Sequence, residues 1–483
     1  MKTYIAITFG PITRIISYAQ DTKGLWAASY FFTYIAKKII TEFKGHTFLL
    51  PQLDDRMYKP ECTKGAGLFP DRYIFEAQEG DFQHFCNHAD YTINEIGSEI
   101  AEVIKQDSEK VKEYLKRTIK IYAIEKVFEE NEEVVKLCEE ALDVLECEDV
   151  YKPHEPINYL ALFFEKVNNS FLVNDAFGKE KKGRLFDTIM EYSAKEFITT
   201  NKATVWNEEI VKRLPPYQKY IAIVKADGDN LTSTIKSMKE RNMSIAELDK
   251  GLIEYNLAVT TLIQEYGGQA VYLGGDDLLF FAPIKNGNNH VFSLLDRINE
   301  TFKDKLKTLP SPPTLSFGVS ISYYKHPMFE AIDRAEELLG EAKNSGKNCI
   351  AWSLRKHSGQ VIQSLQTKKS RKLYNCFKNL LNKAIELDEE ERFYTSFTFF
   401  LNQHKEMLLY ILKKDSQDRI RSVKNYFDNS FNEPVHENQK DYVAELMNYL
   451  KIYVEECRET DENAIDSLYA ILRLVGFFKS KKQ

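Results

Sequence analysis

Hydrophobic and polar positions along the chain fall into two similar layouts, separated and followed by helical stretches. Tyr4-Ile5-Ala6-Ile7-Thr8-Phe9 reads as a strand that Gly10-Pro11 breaks. Gly24 opens a helix running to about Phe43, with small residues at 27, 28 and 29 that allow close packing. His46–Leu50 and Asp71–Glu76 read as strands, Ala89–Leu115 as one long helix with a polar face, and Ile119–Ile124 as a fourth strand. The order βαββαβ is ferredoxin-like. Residues 125–212 read as helical: Val134, Leu137, Cys138, Ala141, Leu142 and Leu145 are spaced by threes and fours, and helices follow over 157–173 and 185–197. Pro153 and Pro156 punctuate this region, and Pro215-Pro216 marks a boundary.

The second layout begins at Tyr217. A nearly continuous apolar strand reaches Lys225, then helices follow over Leu231–Met238 and Ile245–Tyr266. A hairpin comes next, then a helix from His290 to Leu306, a strand over Thr314–Ser322, a helix over Pro327–Lys343 ended by Gly346, and a last strand over Asn348–Trp352. This is βαββαβ again, with an appended helix and strand. From Ser364 onward everything reads as helix, a bundle that packs on itself or on a partner. The expected fold is α+β and multidomain. It has a first ferredoxin-like domain over 1–125, a helical domain over 126–215, a second ferredoxin-like domain over 216–358 and a helical C-terminal domain over 359–483.

The hairpin of the second layout holds the chemistry. Tyr272-Leu273-Gly274-Gly275-Asp276-Asp277-Leu278-Leu279 puts two adjacent carboxylates at a glycine turn between apolar arms. Such a pair repels itself unless a cation neutralises it, and Mg²⁺ suits hard oxygen ligands. Gly and Asp are also ordinary turn residues. The strand ending Lys225-Ala226-Asp227-Gly228-Asp229-Asn230 changes the balance. It is apolar on both faces, so it reads as central in a covered sheet, and it delivers Asp227 to the sheet's carboxyl end, where ligands bind in α/β layouts. If the strands are neighbours, Asp227, Asp276 and Asp277 converge, as two-metal phosphoryl or nucleotidyl transfer requires. Gly228, Asp229 and Asn230 stand at a helix start suited to cradling a triphosphate. Lys343 and Lys347 flank a turn and are candidate phosphate contacts, although lysines near a helix C-terminus also act as simple caps. Ser316 and Phe317 are candidates for a base pocket or for plain strand packing.

Composition narrows the class. The chain has 483 residues, 43% hydrophobic and 28% charged, and a formal net charge of −7. This fits several large cores and argues against a general nucleic-acid-coating protein. A local basic patch is conceivable at Lys368-Lys369-Ser370-Arg371-Lys372. The seven cysteines form no Cys-x-x-Cys pair, so the usual spacing of a structural zinc site is missing and reduced thiols in a cytoplasm are expected. No signal-type core opens the chain, no apolar run reaches membrane-span length, and no membrane association is expected. His84 and His88 share a helix face and read as a surface pair.

Taken together, Asp227-Gly228-Asp229-Asn230, Gly274-Gly275-Asp276-Asp277 and Ala342-Lys343 with Gly346-Lys347-Asn348 resemble the palm domain of nucleotide cyclases and related polymerases. Phe9-Gly10-Pro11-Ile12, Asp21–Tyr30 and Gly67-Leu68-Phe69-Pro70-Asp71-Arg72 resemble the first palm-like domain of one family, the large subunit of type III CRISPR effector complexes, Cmr (III-B) branch. The resemblance covers the whole domain order. It implies a ribonucleoprotein subunit working with other Cmr subunits and a guide CRISPR RNA. Target RNA then switches on conversion of ATP into cyclic oligoadenylates or, in some members, joining of AMP to S-adenosylmethionine. It implies two Mg²⁺ or Mn²⁺ ions on Asp227, Asp276 and Asp277, and nucleotide contacts from Gly228, Asp229, Asn230, Gly274, Gly275, Ser316, Lys343 and Lys347. None of the nine histidines precedes an Asp, so the HD nuclease domain of many members is not expected here, nor is their four-cysteine zinc site. Two other readings are a catalytically silent scaffold subunit and a stand-alone nucleotide cyclase. The Asp-Asp-Leu-Leu after the Gly-Gly fits the cyclase less well.

Overall fold

The computed structural model describes residues 1–129, 133–147, 157–178, 185–201, 208–368, 370–386, 391–412, 416–430, 440–457 and 461–480. Two compact units emerge, each assembled from separated segments. One comprises Met1–Ile189, Asn230–Phe281 and Arg297–Thr314; the other comprises Met190–Asp229, Ala282–Asp296 and Leu315–Gln483.

Strands β1 (Lys2–Gly10), β2 (Phe48–Leu50), β3 (Arg72–Ala77) and β4 (Lys120–Phe128) form a sheet of order β2-β3-β1-β4, antiparallel throughout. That is the ferredoxin-like order expected for a βαββαβ layout. The helix Thr22–Thr41 is buried along nearly its whole length, so its small residues are spent on close packing as expected. Trp26 Nε1 donates to the Gly65 carbonyl at 2.5 Å, and Asp175 accepts from both the Tyr30 hydroxyl and Lys37 at 2.8 Å.

The second sheet contains β5 (Tyr220–Asp229), β6 (Gln269–Gly274) and β7 (Asp277–Pro283), followed after the small hairpin of β8 (Lys285–Asn286) and β9 (Asn289–His290) by β10 (Thr314–Tyr323), β11 (Cys349–Arg355) and β12 (Val361–Thr367). Its order is β12-β11-β10-β5-β7-β6. The run β6-β7-β5-β10 repeats the order of the first sheet, strand for strand, and β11 and β12 extend it. Gly318 in β10 leaves no room for a side chain: a Cβ there would run into the backbone of Ala335 and Leu339. The helix Met328–Asn344 therefore lies directly on this strand.

The structure corrects several expectations. The stretch 89–115 is two helices, Asp81–Ile104 and Ser108–Thr118. Lys105 turns left-handed at φ 58°, and the Asp107 carboxylate caps the second helix by accepting from the Lys110 N–H at 3.0 Å. The stretch 157–173 breaks at a 3₁₀ turn, Val167–Asn169. Strand β12 replaces the expected end of the sheet at Trp352: the Lys356–Gln360 turn folds it back antiparallel to β11. Lys368 faces inward, 8% exposed, with its Nζ donating to the Leu315 carbonyl at 3.0 Å and lying over the Phe317 ring, so it adds nothing to a basic surface. Lys369, Pro153 and Pro156 lie outside the described residues. Cys62, Cys86, Cys138, Cys147, Cys349 and Cys376 are free thiols. Among the described residues no helix is long and apolar enough to cross a membrane.

Within the first unit, the loop after β2 is bolted to the helix Ile245–Tyr266. The Lys64 ammonium donates to Thr261 Oγ1 and Gln264 Nε2 to the Lys64 carbonyl, both at 2.9 Å, and the Gln52 N–H donates to Asp249 Oδ2 at 3.1 Å. Asp249 is 6% exposed, and burial pushes its carboxyl up to about 6, with the Gln52 N–H opposing. The folded value exceeds the unfolded one of about 3.9. Its contribution to stability is therefore complete below about pH 4 and lost as pH rises through 6. Asp249→Asn keeps an acceptor for Gln52 and abolishes the charge. Denaturant titrations at pH 4 and pH 7 should show the variant more stable than the parent at pH 7, with the gap closing at pH 4. Parallel pH profiles would refute the assignment.

Candidate functional site

The second unit carries the end of β5 and what surrounds it. Side chains at 225, 227 and 229 point to one face, and the helix Met328–Asn344 lies there. Lys225 pairs with Glu336, and two turns later Lys343 pairs with Asp227. Asp227 and Lys343 are each about 30% accessible at the side chain (28% and 30%), so this pair is open to exchange with solvent or ligand.

Asp229, two residues on, is fully buried. Its carboxylate accepts from the Ser316 hydroxyl at 2.8 and 3.1 Å and from the Asn348 N–H at 2.9 Å. Ser316 is buried too. The Asn348 N–H reaches Asp229 because Gly346, Lys347 and Asn348 all take positive φ (100°, 67° and 51°), coiling the chain left-handed after the helix. The Asn348 carbonyl accepts from the Lys368 N–H at 2.9 Å, and its Oδ1 is buried without a partner. Lys347 is thus part of a strained turn as well as a lysine. Gly228 is buried on β5, and Asn230, at φ 64°, starts the helix Leu231–Glu240.

The first unit carries the Gly-Gly hairpin. Gly274 pairs with Asp277, leaving Gly275 and Asp276 as a two-residue loop. Gly275 has φ 62°, the conformation a two-residue turn demands at its first position. Asp276 is half-buried, and Asp277 is exposed at the start of β7. Gly274 is needed for a different reason: the Tyr272 side chain folds back over it, and a Cβ would overlap the hydroxyl end of that ring. Burial raises the Tyr272 hydroxyl well above its ordinary range, with the Asp71, Asp277 and Asp276 charges adding to the shift. Burial, then the Asp276 charge, does the same to Tyr255.

The sequence reading missed Asn256. It lies 5% exposed on the helix Ile245–Tyr266 and donates from Nδ2 to the Gly275 carbonyl at 3.0 Å. Its signal is one amide inside the apolar stripe of Leu252, Tyr255, Val259 and Ile263. The bolts from the first ferredoxin-like domain act on this same helix, and the helix Thr22–Thr41 packs against β6. The hairpin's shape therefore depends on the first domain.

Among the described residues no cluster of three or more His, Cys, Asp or Glu side chains is preformed to hold a metal. The donors available, carboxylate oxygens, are nonetheless the hard ligands that Mg²⁺ takes, and Mg²⁺ normally completes its shell with water and substrate phosphates.

Comparison with known proteins names the architecture. Residues 4–120 match the model for the CRISPR-associated protein Cmr2, N-terminal, and residues 220–351 match that for Cas10/Cmr2, second palm domain. The CRISPR system Cmr subunit Cmr2 of Pyrococcus furiosus is 30% identical over 177 residues, a match covering 31% of this chain and 20% of that protein. The chain thus matches well under two thirds of this curated relative's length. Two solved structures share the fold. A type III-B Cmr-beta assembly solved by cryo-EM in its apo state has TM-score 0.60 at 11% identity, covering 88% of this chain and 77% of that one. A Csm1–Csm4 cassette in complex with cA4 has TM-score 0.52 at 14% identity, covering 98% and 69%. With both Cmr2 models matched on the two ferredoxin-like domains, the chain belongs to the Cas10/Cmr2 family of palm-domain CRISPR subunits.

Proposed function

We propose that this chain is the RNA-activated nucleotidyltransferase of a type III-B complex. It works with other Cmr subunits, guide RNA and target RNA, and makes an adenylate second messenger from ATP. The observation that carries the reading is the Gly-Gly-Asp-Asp hairpin with Asp227 at the end of β5, both inside the segment matching the second palm. A fold relative that binds cA4 adds support on the product class.

Asp227, Asp276 and Asp277 are the proposed ligands of two Mg²⁺ or Mn²⁺ ions. When bound, these ions neutralise charge on the phosphates and lower the pKa of the attacking hydroxyl. The chain's own residues do the positioning. Lys343 pairs with Asp227 and is the proposed residue that would contact a nucleotide phosphate if a bound cation took over the Asp227 carboxylate. Asn256 and Gly275 set the aim of the hairpin carboxylates. Asp229 and Ser316 are proposed here as framework, since each consumes the other's polar atoms. Gly228, Asn230, Gly274 and Lys347 remain proposed nucleotide contacts through their backbone or, for Lys347, its ammonium. Cyclic oligoadenylate and an AMP conjugate of S-adenosylmethionine are both compatible products.

The test uses the protein assembled with its neighbouring subunits, guide and matching target RNA, supplied with labelled ATP and Mg²⁺, with and without S-adenosylmethionine, and product identified by mass spectrometry. The expected result is a product that requires target RNA and vanishes in Asp276→Ala/Asp277→Ala. No product while guide and target remain bound would replace the proposal with a scaffold role. Product from the isolated chain without RNA would favour a stand-alone cyclase. Lys343→Ala should lower kcat/KM for ATP by about 10- to 100-fold, the range for one charge-assisted hydrogen bond; unchanged kinetics would remove Lys343 from the site. Ser316→Ala deprives buried Asp229 of a donor and should destabilise the fold by about 1–3 kcal/mol, measured by denaturant unfolding. A neutral result would show that Asp229 does not depend on Ser316.

A further inference from the structure

A groove of about 260 Å³ lies toward the far end of β10 from Ser316. Ser316 and Ser322 are six residues apart along the strand, roughly 20 Å at about 3.3 Å per residue. The floor of the groove is Ser320 and Ser322 of β10 and Ser353 of β11, which are 4%, 3% and 2% exposed. Ser320 and Ser353 are register partners. Both β10 serines share the face of Gly318, the face covered by the helix Met328–Asn344. None of the three hydroxyls has a hydrogen-bond partner among the described residues. Three serines this little exposed, with hydroxyls that open onto one groove, leave their oxygens to whatever enters it.

The charges around the floor decide what fits. Arg334 is used up: it donates to Glu337 at 2.8 Å and to Gln363 Oε1 at 2.9 Å, and pairs with Glu341 at 3.2 Å. Arg355 stands 3.7 Å from Glu330, which also faces His326 at 3.5 Å. Burial and then the Arg355 charge lower His326, so its ring is neutral at pH 7. Asp333 lines the groove and has no cationic partner among the described residues. The uncompensated charge is therefore negative and stands over an acceptor-rich floor. An anion would meet Asp333, with Arg334 already engaged and the Arg355 charge offset by Glu330 at 3.7 Å. A primary ammonium brings three N–H donors and no acceptor, which one carboxylate and serine oxygens satisfy. Val361, half exposed, lines the same groove and offers contact for an alkyl stem.

We propose that this groove binds a primary alkylammonium group, brought either by a free polyamine or by a lysine side chain of a partner protein. The readout is amine binding and not nucleotidyl transfer, so this inference can fail or succeed independently of the activity proposed above. The full chain is titrated calorimetrically at low salt with putrescine, with spermidine and with the blocked peptide acetyl-Gly-Lys-Gly-amide. Saturable 1:1 binding is expected. Asp333→Asn should weaken it about ten-fold or more and Ser353→Ala about three-fold, while Glu240→Gln, an exposed acid outside the groove, should leave it unchanged. Asp333 is exposed, so its variant should keep the parent thermal midpoint, which is measured alongside. Tighter binding of the free amines assigns the site to a polyamine, and tighter binding of the peptide assigns it to a partner's lysine. The proposal is overturned if no probe saturates the parent chain, or if Asp333→Asn and Ser353→Ala bind as the parent does.

Discussion

A single buried carboxylate organises the second palm. Asp229 has no solvent contact, so its charge is tolerable only if donors surround it. Ser316 provides one from β10, and the Asn348 N–H provides another from the turn after the helix Met328–Asn344. Three pieces of chain far apart in sequence are therefore held at one point, and the left-handed run Gly346–Asn348 is the local cost of bringing a backbone N–H there. Asp227 is two residues earlier on the same face of β5. With Asp229 locked, Asp227 is held at the strand end, half open, with Lys343 paired to it. The inner carboxylate is thus fixed, and the outer one stays partly open to solvent.

The hairpin carboxylates are held by different means. Asp276 and Asp277 sit on a two-residue loop whose shape comes from Gly275, from the Tyr272 ring folded over Gly274, and from the Asn256 amide. The helix bearing Asn256 is in turn fastened by Gln52 and Lys64 of the first ferredoxin-like domain. That domain's contribution to the first unit is mechanical. Asp71, inside the segment that matches the Cmr2 N-terminal model, has its carboxyl raised by burial and adds to the electrostatic load on Tyr272.

Much of this was legible in the sequence. Both βαββαβ layouts, the long helix Ile245–Tyr266 and the hairpin with its glycines follow from apolar periodicity and turn chemistry. Local signals that depend on a few polar atoms were harder to read. The break at Lys105–Asp107 rests on one capping carboxylate inside a continuous helical pattern. Strand β12 has weak alternation and is stable because β11 offers it a ladder. Lys368 looked like part of a basic surface and proved to be a buried donor, because only the fold reveals the free Leu315 carbonyl and the Phe317 face that receive it.

By itself the sequence singled out Asp227, Asp276 and Asp277 as candidates, by their position at the end of a buried strand and on a Gly-Gly turn, since period and turn propensity act over a few neighbouring residues. Tertiary structure alone decided how the other candidates are used. Asp229 and Ser316, candidate ligand contacts in the sequence, are hydrogen-bonded to each other, and Asn256, one more helical residue in the sequence, donates to the Gly275 carbonyl of the hairpin. Whether a polar atom is available to a ligand depends on which donor or acceptor the fold brings within about 3 Å of it, and residues 87 positions apart, as Asp229 and Ser316 are, meet only through the packing of the whole sheet.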